Sequence, residues 1–155
     1  RKAVKSGLSA FEAATSPKIL GNVIKSNTAG TIRAVERPDK TVDLVLKRKD
    51  VWDEIQMSQA TRKARDLSRA DTQVTSKENI HRDPNVTKNF RKNNSDHIPD
   101  GYDVDHVIDL QLGGVDSASN LRPLDASVNR SMGAQIHYLI KDLPEGTKIG
   151  NVIFE

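Results

Sequence analysis

Thirty-five residues, Ile98 to Met132, constrain this chain more than any other part of it. They read IPDGYDVDHVIDLQLGGVDSASNLRPLDASVNRSM. Pro99-Asp100-Gly101-Tyr102 is a turn signal. Tyr102 to Val107 alternates well enough for a strand, with Asp105 and His106 near its end. Leu110, Leu112 and Gly113-Gly114 then predict a loop that needs permissive backbone angles. Leu121-Arg122-Pro123-Leu124 predicts a second short strand, and Pro123 makes it an edge. Asp125 or Ser127 is placed to cap a helix that carries Asn129 in its first turns and runs to about Lys141. Strand, loop, strand and helix in that order bring Asp105, His106 and Asn129 towards one another.

Those three residue types suit phosphodiester hydrolysis. The reaction needs a deprotonated water, neutralised charge on the phosphorane and a stabilised leaving oxygen. An imidazole with an ordinary pKa near 6.5 serves as a base at neutral pH, which assigns that role to His106. A hard divalent cation serves the other two needs, and Asp105 with Asn129 offers oxygen ligands for it. Two protein ligands leave positions open for water and for a substrate phosphate. Arg130, next to Asn129, is suited to clamping that phosphate.

In these motifs the stretch resembles the HNH, or His-Me finger (ββα-metal), endonuclease superfamily, and within it the endonuclease VII-like members. The residues that carry the likeness are Asp105-His106, Gly113-Gly114, Asn120-Leu121 and Asn129. The resemblance implies that His106 is the general base and that Asp105 and Asn129 hold one metal ion. It also implies that Asn120 braces the loop that orients His106. It covers about residues 98–140. Two features depart from the family pattern. The flanking cysteine pairs that hold a structural zinc in many members are missing, since the chain has no cysteine. The last motif position is Asn and not His, which favours Mg²⁺, with Mn²⁺ next and Zn²⁺ as the remaining option. The expected fold class is α+β: a ββα-metal core with an N-terminal helical and hairpin extension.

Charge is distributed unevenly. Residues 1–95 hold 20 Lys and Arg against 11 Asp and Glu, whereas residues 96–155 hold 4 against 10. A basic body joined to an acidic segment suits phosphate binding by the first and cation binding by the second. Without cysteine, disulfide scaffolds and thiolate zinc sites are excluded. No apolar run approaches the roughly 18–20 residues that a membrane span requires.

Elsewhere the patterns are weaker. Leu8, Phe11 and Thr15, then Ser16-Pro17 with Ile19, Leu20, Val23 and Ile24, predict an interrupted helical region over residues 1–27. Residues 31–47 predict a hairpin around Arg37-Pro38-Asp39-Lys40. Asp50 is expected to cap a helix to about Ala70, whose buried side is Val51, Trp52, Ile55, Gln59/Ala60 and Ala64/Leu67. Its other side, Arg62, Lys63, Arg65 and Arg69, is either a solvated face or a phosphate-tracking stripe. Residues 71–97 predict polar loop with short helical turns, from which Lys88, Arg91 and Lys92 can reach a substrate backbone. His81 and His97 are expected at the surface, and His137 as helix packing or a substrate contact. Residues 149–154 predict a strand that pairs with the hairpin.

Two regions are expected: a basic region, residues 1–97, packed on the core, and a nuclease core, residues 98–155. The chain begins at Arg1 and not Met, so it is expected to belong to a larger delivery polypeptide. A nuclease placed there resembles the toxin tips of bacterial polymorphic toxins. That implies a secreted or delivered effector that degrades DNA in a target-cell cytoplasm and is neutralised by an acidic immunity protein. The alternatives are a phage, homing or restriction-type endonuclease domain, and a catalytically inert nucleic-acid-binding module.

Overall fold

The computed structural model describes residues 21–155. Its strands are β1 (Asn22–Ser26), β2 (Arg33–Glu36), β3 (Val42–Leu46), β4 (Thr72–Gln73), β5 (Tyr102–His106), β6 (Leu121–Asp125) and β7 (Lys148–Phe154). Its helices are α1 (Glu54–Arg69), α2 (Pro84–Asn93) and α3 (Ala126–Ile140). The result is an α+β fold with three helices and two sheets among the described residues.

One sheet has the order β1-β2-β3-β7-β4. The hairpin β2–β3 turns through Arg37–Lys40, where the backbone amide of Lys40 donates to the carbonyl of Arg37 at 2.9 Å and Lys40 itself takes a left-handed φ of 74°. Asp39 stabilises the turn by accepting from both the amide and the hydroxyl of Thr41. All five residues of β3 are buried, because β2 and β7 flank it and α3 lies across it. β7 runs parallel to β3, so the last strand of the chain is inserted between β3 and β4. Its other edge meets β4 only at Ile149 and Lys148. Further along, the Ser68 hydroxyl of α1 both donates to the carbonyl and accepts from the amide of Val152, which satisfies backbone groups a longer neighbour strand would have paired.

The second sheet is the antiparallel ribbon β5–β6, with His106 opposite Leu121 and Tyr102 opposite Asp125. β6 leads directly into α3, which Asp125 caps by accepting from the amide of Val128. Val128, Met132, Ile136, Leu139 and Ile140 form one buried stripe on α3. They join Leu44, Leu46, Ala60, Ala64, Leu67, Leu124 and Val152 in a single core.

Several expectations are corrected. Residues 22–26 form a strand and not the end of a helix, since antiparallel pairing with β2 outweighs a helical spacing carried by the β-branched Val23 and Ile24. The rest of the expected N-terminal helix, Leu8 to Leu20, lies outside the described residues. α1 is capped by Asp53 and not Asp50, through a capping box with Gln56. Val51 and Ile55 are 86% and 65% exposed, because the helix starts later and turns them outwards. Residues 84–93 form a full helix, opened by the Asp83 cap and Pro84 at its first position. Lys63, expected on the charged face, is buried.

The shared core sets a testable cost. Ile136→Ala should destabilise the protein by about 2–5 kcal/mol in urea or thermal unfolding, the usual range for a fully buried large aliphatic side chain.

Candidate active site

Three elements meet at the end of β5. α1 lies along the ribbon with a polar stripe, Gln56, Gln59, Lys63 and Asp66, spaced at i, i+3, i+7 and i+10. Gln59 donates to the Tyr102 hydroxyl at 2.8 Å and accepts from the amide of Asp125 at 2.9 Å, clasping both strands. Asp66 pairs with Arg122 at 2.8 Å. Lys63 Nζ lies 2.7 Å from Asp105 Oδ2 and 2.7 Å from Asp109 Oδ1, and donates to the carbonyls of His106 at 2.6 Å and Val107 at 3.1 Å.

The loop from β5 to β6 is tied by Asn120. Its side-chain oxygen accepts from the amide of Ile108, and its amide donates to the carbonyls of Ile108 and Val115. Its own carbonyl accepts from the amide of Val107 at 2.7 Å. Gly113 has a left-handed φ of 90°. At Gly114 a Cβ would lie 1.8 Å from the carbonyl oxygen of Ile108, so no larger residue fits without moving backbone.

His106 is almost wholly buried, and its Nε2 lies 2.8 Å from Asp116 Oδ1. That hydrogen bond, then one from the amide of Asp83, holds the Asp116 carboxyl below the usual carboxylate range. An ionised carboxylate only accepts, so Nε2 of a neutral His106 carries the proton and Nδ1 presents the lone pair. Asn129 donates to Asp103 Oδ2 at 2.9 Å, and Arg130 grips both oxygens of the same carboxylate, at 3.1 and 2.9 Å. Burial opposes ionisation of Asp103, but the hydrogen bonds from Arg130 and Asn129 outweigh it, helped by the charges of Arg130 and Arg91. Its carboxyl therefore lies below the usual range. Asp105 goes the other way: burial pushes it up against the pull of Lys63, and Asp109 beside it adds to the push.

Asp105, His106 and Asn129 all line one cleft of about 850 Å³ between α3 and the loop of residues 74–82. Arg130 and His137 line it as well. Lys88, Arg91 and Lys92 do not; they are exposed on α2, and the cations that do line the cleft besides Arg130 are Lys77, Arg82 and Lys141. These three, with Lys63, Asp103, Asp109 and Asp116, are the site residues that sequence reasoning missed. Asp103, Asp109 and Asp116 sit inside the motif stretch, but nothing in their spacing tells which acid meets which base.

Among the described residues no three His, Cys, Asp or Glu side chains are grouped to hold a metal ion. The set here is smaller, one carboxylate and one amide. Asp105 Oδ2 is taken by Lys63 and the Asn129 amide nitrogen by Asp103. Among the described residues no hydrogen bond falls on Asp105 Oδ1, Asn129 Oδ1 or His106 Nδ1. A carboxylate oxygen and an amide oxygen are donor types that a hard divalent cation takes.

The depressed Asp103 carboxyl gives a pH test. Its contribution to stability is fully present above the ordinary aspartate pKa of about 3.9 and is lost as pH falls through the lower folded value. Urea unfolding across acid pH should show that loss in the native protein, and Asp103→Asn should remove this part of the acid dependence.

Compared with known proteins, the chain matches no family model, no curated protein and no solved structure.

Proposed function

We propose that residues 98–140 form a His-Me finger site and that the protein is a metal-dependent endonuclease of low sequence specificity acting on DNA. The observation that carries the proposal is the cleft itself. One carboxylate oxygen, one amide oxygen and one imidazole nitrogen, from Asp105, Asn129 and His106, are left uncommitted on its wall.

In this reading His106 Nδ1 takes a proton from the attacking water, while Asp116 fixes the tautomer and steadies the imidazolium that results. Asp105 and Asn129 would hold a divalent cation, Mg²⁺ in the first place. When bound, such a cation neutralises charge on the phosphoryl group and stabilises the leaving oxygen. Arg130, Lys77, Arg82 and Lys141 offer positive charge for the backbone that enters. Among the described residues no Phe, Tyr or Trp lines the cleft, so they offer no platform on which bases stack. Contacts of this kind recognise phosphate and not sequence, which supports low specificity.

A second reading is an inert nucleic-acid-binding module. The ion pairs that occupy one oxygen of Asp105 and both oxygens of Asp103 favour it. Plasmid incubated with Mg²⁺, with and without chelator, separates the two. The native protein should nick or linearise the plasmid only with metal, and His106→Ala should lose at least about 10²-fold in rate, the lower end for a general base. His106→Ala cutting as fast as the native chain would remove the mechanism; a native protein that binds DNA without cutting it would favour the module.

We also propose the biological role of a delivered antibacterial toxin domain, acting in a target-cell cytoplasm and covered by an acidic immunity protein. The basic excess of residues 1–95 supports an acidic partner. Expression in a bacterium that lacks such a partner should stop growth, and His106→Ala should relieve it; harmless expression of an active enzyme would count against the role.

A further inference from the structure

We infer that Lys63 is a positioning residue for Asp105, an internal cation that assembles the site before any metal arrives. The inference rests on the metal-site reading above.

Lys63 is 2% exposed, yet it carries a charge and projects from a helix whose other basic residues, Arg62, Arg65 and Arg69, face solvent. Its ammonium meets four oxygens: Asp105 Oδ2 and Asp109 Oδ1 at 2.7 Å, and the carbonyls of His106 at 2.6 Å and Val107 at 3.1 Å. An all-oxygen cage of carboxylates and carbonyls is what a hard cation takes. Here a covalently tethered one already fills it.

Three consequences follow for the site. One oxygen of Asp105 is fixed, which halts rotation of the carboxylate and leaves its other oxygen as the ligand. The carbonyl of His106 is held too, so the backbone that carries the base is anchored by the same group. The two acids and one ammonium together keep one negative charge beside the cleft, without the repulsion of two bare carboxylates. An ion pair kept only for stability is replaceable by apolar residues. One that fixes the second oxygen of a metal ligand is not, because partners that orient a ligand set its affinity for the metal.

The test separates position from charge. Lys63→Met combined with Asp109→Asn removes one cation and one anion, so the net charge of the cluster is unchanged. Mn²⁺ binding, followed without nucleic acid by the electron paramagnetic resonance of the free ion, should be about 10- to 100-fold weaker in K63M/D109N than in the native chain. Equal affinity overturns the inference, and so does a native chain that binds no Mn²⁺. If the double variant does not fold, the native protein decides. The Lys63 ammonium protons, shielded from exchange by burial, should keep their NMR signal at saturating Mg²⁺. Loss of that signal would mean that the metal displaces Lys63, which is then a placeholder. Weaker Mn²⁺ binding by the variant together with no plasmid cleavage by the native chain supports the inference and sinks only the nuclease reading.

Discussion

A single buried ammonium ties the halves of this fold together. Lys63 reaches from α1 to the end of β5, where Asp105, Asp109 and the carbonyls of His106 and Val107 surround it. Bringing a lysine and two aspartates out of water costs several kcal/mol per ion, and mutual attraction offsets that only with good geometry and full hydrogen bonding. Here the ammonium meets four oxygens at 2.6–3.1 Å, while among the described residues Asp105 keeps one oxygen without a hydrogen bond. Removing one member of such a cluster typically costs about 3–5 kcal/mol, because the partners stay buried and unpaired. The cluster is therefore a weak source of net stability but a strong constraint on where β5 ends relative to α1.

The other contacts of α1 extend that constraint. Gln59 clasps Tyr102 and the amide of Asp125, and Trp52 donates from its indole to the Ser127 hydroxyl at 3.0 Å. On its apolar side Ala60, Ala64 and Leu67 enter the core shared with β3, β7 and α3. One helix thus presents a polar stripe to the ribbon and an apolar stripe to the sheet. The ribbon and its loop are held by this helix and by the Asn120 hydrogen bonds.

The motif stretch was the most legible part of the chain. Its two strands, the Asp125 cap and α3 fall close to where turn signals, alternation and capping put them. Local chemistry decides those features, and local chemistry is written in adjacent residues. β1 was not legible, because Val23 and Ile24 fit a helical stripe until β2 pairs with them. Lys63 was not legible either. A lysine among Arg62, Arg65 and Arg69 looks like solvated surface, and only the position of two aspartates over forty residues away turns it inwards.

By itself, then, the sequence determined the local elements of residues 98–141, the residue types available for chemistry, and the absence of any thiolate site. Tertiary structure decided the pairings: His106 with Asp116, Asn129 and Arg130 with Asp103, Asp105 with Lys63. It also decided that Lys77, Arg82 and Lys141, and not Lys88, Arg91 and Lys92, line the cleft. The physical reason is the range of the interactions. Turns, caps and alternation act over a few residues of chain, whereas charge pairs act over a few ångströms of space, and only the folded chain relates one distance to the other.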